Sequence, residues 1–297
     1  MHIVGQSTIA TEWGADSEYG LLRDVLVCPP DNFRWLPTSP ITEQTLADGH
    51  RFDPDLARRQ HAEMVSCYEE QGVRCHYLEA DPALPYQVFS RDSSAATPSG
   101  AVSLQPQQPW RRGEQVRAAA FYRDAGLPLR AEITAGSIEG GDVMIVEPGC
   151  LLIGTCEART TEAGARQLGG WFEEEGWEVR IEPFPARYVH IDVLTAVLAE
   201  KTAALCTDVV STSLVTWFRE KGFEILTVPE QEAFTLGVNA ISLGGGRVLS
   251  ASGATSLNAA MRAVGLTVSE VDLSMFTLGG GGPHCLAQAL RRERTAR

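Results

Sequence analysis

The sequence predicts a mixed α/β fold in which five copies of one β-turn-β-α-Gly-β unit surround a pseudo-fivefold axis. Three observations predict it. The chain has 297 residues, 44% hydrophobic and 21% charged, which is globular composition with enough length for a sizeable core. A helix–glycine–strand phrase recurs five times. Strand–turn–strand candidates fill the intervals between the phrases.

The phrases are HAEMVSCYEEQGVRCHYLE, QVRAAAFYRDAGLPLRAEI, QLGGWFEEEGWEVRIEP, TSLVTWFREKGFEILTVP and SLNAAMRAVGLTVSEVDL. Their glycines are Gly72, Gly126, Gly176, Gly222 and Gly265, separated by 54, 50, 46 and 43 residues. Four residues earlier stand Tyr68, Tyr122, Phe172, Phe218 and Met261. That spacing puts each large apolar side chain one helical turn from the end, on the buried face. The glycine suits a left-handed helix stop, where a Cβ is penalised. The strand that follows alternates, as in Trp177, Val179 and Ile181.

Paired strands are expected in VMIVEPGCLLIG (143–154), LTAVLAEKTAALC (194–206) and AISLGGGRVLSA (240–251), which are interrupted by polar or Gly/Pro turns. Each unit is then of ββαβ type, and five stacked around an axis leave no long open edge. An ordinary α/β sheet would need the same glycine and apolar residue to coincide five times. No linker or composition shift interrupts residues 17–295, so residues 1–297 are expected to form a single domain.

With 25 basic and 38 acidic residues the formal charge is −13. The clustered Lys and Arg that nucleic-acid binding needs are missing, whereas a cationic ligand suits the acidic chain. No apolar run is long enough for a membrane span, and Met1 to Gly20 carries no basic-then-apolar leader. The seven cysteines are odd in number, scattered and without a CxxC. That pattern argues for reduced thiols and a cytoplasmic protein, not a disulfide framework or zinc cluster.

Reactive side chains fall at comparable places after each repeat strand. Asp92, Glu139, His190, Asn239 and Cys285 follow their glycines by 20, 13, 14, 17 and 20 residues. In a fivefold ring these positions converge, gathering two carboxylates, an imidazole, an amide and a thiol in one pocket. A Cys and a His distant in sequence and near in space can form an activated nucleophile. Cys285 follows LGGGGPH, whose glycines allow close backbone approach, and the run lacks the Lys-Ser/Thr of a phosphate-binding loop. Asp192, two residues after His190, is expected on the same side of a strand, to orient the ring or bind substrate. No third ligand at metal spacing accompanies His190. Cys67, Cys75 and Cys206 read as small core residues, and His284 as structural or modulating.

Four phrases together resemble the guanidino-group-modifying enzymes of the α/β-propeller (pentein) superfamily, which include arginine deiminase, dimethylarginine dimethylaminohydrolase, agmatine deiminase and the amidinotransferases. FSRD (89–92), IEGGD (138–142), HID (190–192) and GGGGPHC (279–285) carry the resemblance, and EYGLLRDVLVCPP (18–30) resembles the family's opening strand. The similarity covers roughly residues 17–290. It implies a catalytic propeller with Cys285 as nucleophile, His190 as general acid/base and Glu139 supporting both the His and a substrate nitrogen. Asp92 and Asp192 would grip the guanidinium. WRRGE (110–114) and CEARTTEAGARQ (156–167) would place Arg111 and Arg159 near a substrate carboxylate. Asn239 joins the substrate-binding set through its repeat position. Tyr86 stands where relatives often carry Asn or Asp at the amino-acid end, and the Arg159 segment is one residue longer than usual.

The implied activity is cysteine-dependent hydrolysis of the guanidinium of arginine or a derivative, through a covalent amidino intermediate and without a cofactor or metal. The compact length and the missing helical insertion resemble the hydrolases. The alternative is amidino transfer to an amine, since HID with the HC ending also suits amidinotransferases, while Gln288 resembles the agmatine deiminase ending. A non-catalytic binding propeller would lack the Cys/His/carboxylate set. The implied partner is a small cationic guanidino compound, and a homo-oligomer is compatible with this reading.

Overall fold

In the computed structural model, which describes residues 13–295, the five repeat glycines all adopt left-handed backbone, with φ from +68° to +88°. A Cβ at any of them would meet nothing within 4 Å, so the requirement is conformational and not steric. The residue after each glycine donates its N–H to the carbonyl of Tyr68, Tyr122, Phe172, Phe218 or Met261, at 2.8–3.0 Å. This is the bond that closes a Schellman helix end. The same five side chains are buried. A polar residue caps three of the helices at the other end: Asp53 before Pro54–Glu70, Thr161 before Glu162–Glu174 and Ser211 before Thr212–Glu220.

Among the described residues the strands are β1 (Leu22–Val27), β2 (Arg74–Tyr77), β3 (Ser94–Thr97), β4 (Gly100–Ser103), β5 (Leu129–Glu132), β6 (Val143–Glu147), β7 (Cys150–Thr155) and β8 (Glu178–Pro183). They continue as β9 (Thr195–Ala199), β10 (Thr202–Leu205), β11 (Glu224–Thr227), β12 (Ile241–Gly244), β13 (Arg247–Ala251), β14 (Thr267–Val271) and β15 (Gln288–Arg292). They form five three-stranded sheets: β15-β1-β2, β3-β4-β5, β6-β7-β8, β9-β10-β11 and β12-β13-β14. In the last four a hairpin joins an inner and a middle strand antiparallel, and in all five a helix then returns the chain to an outer strand parallel to the middle one. This is the expected ββαβ ring of the pentein fold.

The first sheet differs in one way that the sequence did not reveal. Its inner strand is β15 from the chain's far end, antiparallel to β1, so the ring closes by joining the two termini. The inner strands β3, β6, β9 and β12 are buried almost throughout. No helix among the described residues is long and apolar enough to cross a membrane. The reading of Met1 to Gly20 as free of a leader falls largely on residues 1–12, which lie outside the described residues.

Candidate active site

Every polar residue singled out at a repeat position lies just before an inner strand. Asp92 precedes β3, Glu139 precedes β6, His190 precedes β9, Asn239 precedes β12 and Cys285 precedes β15. The inner strands converge on the axis, and these residues are all buried there. A narrow cleft reaches three of them, Asp92, His190 and Cys285, and is lined also by Tyr86, Arg159 and Gly280 among others.

The motif glycines make room for this crowding. A Cβ at Gly141 would lie 2.6 Å from His190 Nδ1, and one at Gly140 would lie 2.0 Å from the carbonyl oxygen of Arg91. In the GGGG run, a Cβ at Gly281 would strike the Phe89 ring at 2.3 Å and one at Gly282 the Asn239 side chain at 2.8 Å. The run is therefore glycine because an aromatic ring and an amide press against its backbone.

His190 sits between two carboxylates. Its Nε2 lies 2.8 Å from Glu139 Oε2, and its Nδ1 lies 3.8 Å from Asp92 Oδ1. Burial opposes its charge, but Asp92, Asp142 and Glu139 outweigh it and lift the imidazole to about 10. The residue before it, Val189, has φ +67° and ψ −61°, and His190 N–H bonds the Tyr188 carbonyl at 2.7 Å. That is a strained γ-turn, rare for a β-branched residue, and it aims the imidazole inward. The HID segment is a short 3-10 turn, not the expected strand, with Ile191 N–H held by Asp142 Oδ1 at 2.7 Å. Asp192 therefore points at a different group from His190.

Asp192 Oδ2 receives the Cys285 thiol at 3.5 Å and lies 2.8 Å from His284 Nδ1. Its other oxygen is buried and has no hydrogen-bond partner among the described residues. The thiol of Cys285 is pushed well above its usual value by burial first, then by the carboxylates of Asp192 and Asp92. Left alone it is a protonated thiol, and a cation brought between those carboxylates favours the thiolate.

Two expected substrate-binding residues do something else. Asn239 accepts from the backbone N–H of His284 and Cys285 at 3.1 and 3.3 Å, and its Nδ2 donates to the Cys285 sulfur at 3.2 Å and to the Asp192 carbonyl. Its amide grips the nucleophile loop and has no group left for a substrate. Arg111 was expected beside a substrate carboxylate. Its guanidinium is instead buried among protein carboxylates: Nη1 donates to Asp92 at 2.6 Å and Glu139 at 3.3 Å, Nη2 to Glu114 at 2.8 Å and to the Phe89 carbonyl. Its fork is filled by the enzyme itself, because Glu114, three residues along, supplies the fitting carboxylate. Arg159 lines the cleft and is held loosely, 3.4 Å from Glu139 and 3.4 Å from the Thr38 carbonyl.

The fold brings Asp92, Glu139 and His190 within 4.8 Å of one another at their ligand atoms, as their shared place in the repeat led us to expect. Arg111 already occupies the two carboxylates. All seven cysteines are free thiols. Tyr86, flagged as a departure, ties residues 36–38 to the cleft wall, since its hydroxyl bonds the Leu36 backbone and Thr38 Oγ1 at 3.1 Å. Sequence reasoning missed Glu18, which was read only as part of the opening strand. It receives Arg91 at 2.8 Å and stands 3.5 Å from His284. Its only sequence signal was an acidic side chain just ahead of an apolar strand.

Residues 41–292 match the family described as N,N dimethylarginine dimethylhydrolase, eukaryotic. The uncharacterized protein YkgA of Bacillus subtilis is 27% identical over 93% of this chain and 94% of its own length. N(G),N(G)-dimethylarginine dimethylaminohydrolase of Mycobacterium tuberculosis is 26% identical over 78% of this chain and 75% of its own. DDAH from Pseudomonas aeruginosa, solved in complex with citrulline, shares the fold with a TM-score of 0.75 at 24% identity, over 90% of this chain and 99% of that one. A ring of five ββαβ units and a family match over most of the chain lead to one conclusion: this chain belongs to the N,N-dimethylarginine dimethylhydrolase family of guanidino-group-modifying pentein enzymes.

Proposed function

We propose that this protein hydrolyses the guanidinium of arginine or an arginine derivative, with Cys285 carrying the amidino group as a covalent intermediate. One observation carries the reading. The Cys285 thiol lies 3.5 Å from the half-unpartnered carboxylate of Asp192, in a cleft shared with Asp92 and a His190 backed by Glu139.

A planar cation brought up to the sulfur from this cleft is held there by the carboxylates of Asp192, 3.5 Å from the thiol, and Asp92. Its charge lowers the thiol's proton affinity, and the thiol proton is released as the cation binds. The thiolate attacks the guanidinium carbon and forms a neutral tetrahedral adduct. His190, cationic at neutral pH, protonates the departing nitrogen, the C–N bond breaks and an S-amidino cation remains on Cys285. Neutral His190 then takes a proton from water as that water adds to the carbon. The C–S bond breaks, the hydroxyl proton passes to solvent, and a urea-type product leaves beside the free amine or ammonia. Glu139 orients His190, Asn239 fixes the nucleophile loop, and Arg111 holds Asp92 from behind. Arg159 receives a substrate carboxylate, a role supported by the length of its present bonds, 3.4 Å each.

The test is turnover of arginine, monomethyl- and dimethylarginine and agmatine, with and without glycine or ornithine. Release of ammonia or methylamines without an added amine supports hydrolysis, and strict dependence on the amine overturns it. Cys285→Ala is expected to abolish turnover. Acid-quenched wild type is expected to carry one amidino adduct on Cys285 by mass spectrometry.

A further inference from the structure

His284 has no place in the steps above, yet it is wholly enclosed by charge. Its Nδ1 lies 2.8 Å from Asp192 Oδ2, and its Nε2 lies 3.5 Å from Glu18 Oε2. Glu18 in turn receives Arg91 at 2.8 Å, and Arg91 is fixed by the Gly140 and Val143 carbonyls. The four side chains alternate in sign and are all buried. They come from four parts of the chain: the turn before β9, the turn before β15, the N-terminal segment and the turn before β3.

We infer that His284 is a positioning residue that keeps Asp192 ionised and aimed at the cation-binding side of Cys285, and that Glu18 keeps His284 in the form that does so. The inference rests on the hydrolase reading and deepens it. A carboxylate buried against a thiol loses its charge unless a cation compensates. The groups facing Asp192 are His284, His190, Arg91, the carboxyl of Asp142 and the Cys285 thiol. Of the cationic groups among them, only His284 donates to its carboxylate. The oxygen anchored there is the one that receives the Cys285 thiol at 3.5 Å, and the other has no partner among the described residues.

The directions of titration agree. Burial would raise Asp192, but the His284 hydrogen bond and charge hold it below the usual carboxylate range. Burial and Arg91 oppose a charged His284, and the bonds to Asp192 and Glu18 raise it nonetheless. Glu18 stays ionised in the same way despite its burial, through Arg91 and His284.

The test compares 2-chloroacetamidine, a planar cation that alkylates thiols, with neutral 2-chloroacetamide, following Cys285 labelling by peptide mass spectrometry across pH. Wild type is expected to favour the cation. In His284→Leu the preference should fall about tenfold and the acid limb of amidine labelling should rise by about one pH unit or more. In Glu18→Gln, the alkaline limb should move down as His284 loses its counter-ion. If His284→Leu does not fold, His284→Asn carries the test, because it keeps an N–H toward Asp192 and removes the charge. Equal slowing with both reagents and no pH shift would mean a merely structural role and overturn the inference. A wild-type preference that the His284 variants leave unmoved overturns the inference alone. A wild type with no preference for the cation overturns the hydrolase reading and the inference with it.

Discussion

Gly141→Ala tests how tightly the site is built. The added Cβ would lie 2.6, 2.8 and 2.9 Å from Nδ1, Cγ and Cβ of His190. Ordinary contact begins near 3.4 Å, so the ring must retreat by about 0.8 Å, the difference between 3.4 and 2.6. The ring is buried and its far nitrogen is 2.8 Å from Glu139, so the displacement breaks the bond that aims it. Misplacing a reacting group by about 1 Å costs on the order of 100-fold in rate. Overpacking should cost about 1–3 kcal/mol in stability. The assay pairs steady-state amine release with urea denaturation. Gly170→Ala is the control: it lies in the helix Glu162–Glu174 with nothing within 4 Å, and should gain about 0.5–1 kcal/mol with unchanged activity. A folded Gly141→Ala enzyme with kcat within roughly threefold of wild type would refute the argument that glycine is there to admit the imidazole.

Three further outcomes follow from the same geometry. Arg111→Met leaves Asp92, Glu114 and Glu139 facing one another in burial and should cost about 3–5 kcal/mol; an unchanged denaturation midpoint would show the network to be dispensable. His190 is held at about 10 against an ordinary 6.5, so its stabilising contribution is complete below pH 6.5 and is lost as pH climbs through about 10. Thermal melts should therefore fall between pH 7 and 10, and His190→Asn should flatten that slope; equal slopes would contradict the assignment. Tyr86→Phe removes the hydroxyl that holds Leu36 and Thr38 and should cost about 1–3 kcal/mol. It should also speed proteolysis in residues 33–53, and wild-type protease resistance would count against the tether.

Much of the molecule was readable residue by residue. Gly72, Gly126, Gly176, Gly222 and Gly265 disclosed the left-handed helix stops, because few other residues adopt that backbone without penalty. Tyr68, Tyr122, Phe172, Phe218 and Met261 disclosed the buried helix faces, because helical spacing fixes which side they share. Cys285, His190, Glu139, Asp92 and Asn239 were gathered on paper by their place in the repeat and are neighbours in space. The roles of Arg111 and Asn239 were not legible. Whether a guanidinium meets a ligand or the protein's own Glu114 depends on side-chain directions that no motif states.

The amino-acid order by itself determined the unit: where each helix stops, which face it buries and which polar residues lead into an inner strand. These follow from local sterics and periodicity, which act over a turn or two of chain. The tertiary structure alone decided how β15 closes the ring on β1, and how Glu18 and Arg91 reach His284 across it. Such pairings join segments separated by most of the chain, and their energy arises only once burial has removed the water that would otherwise screen the charges.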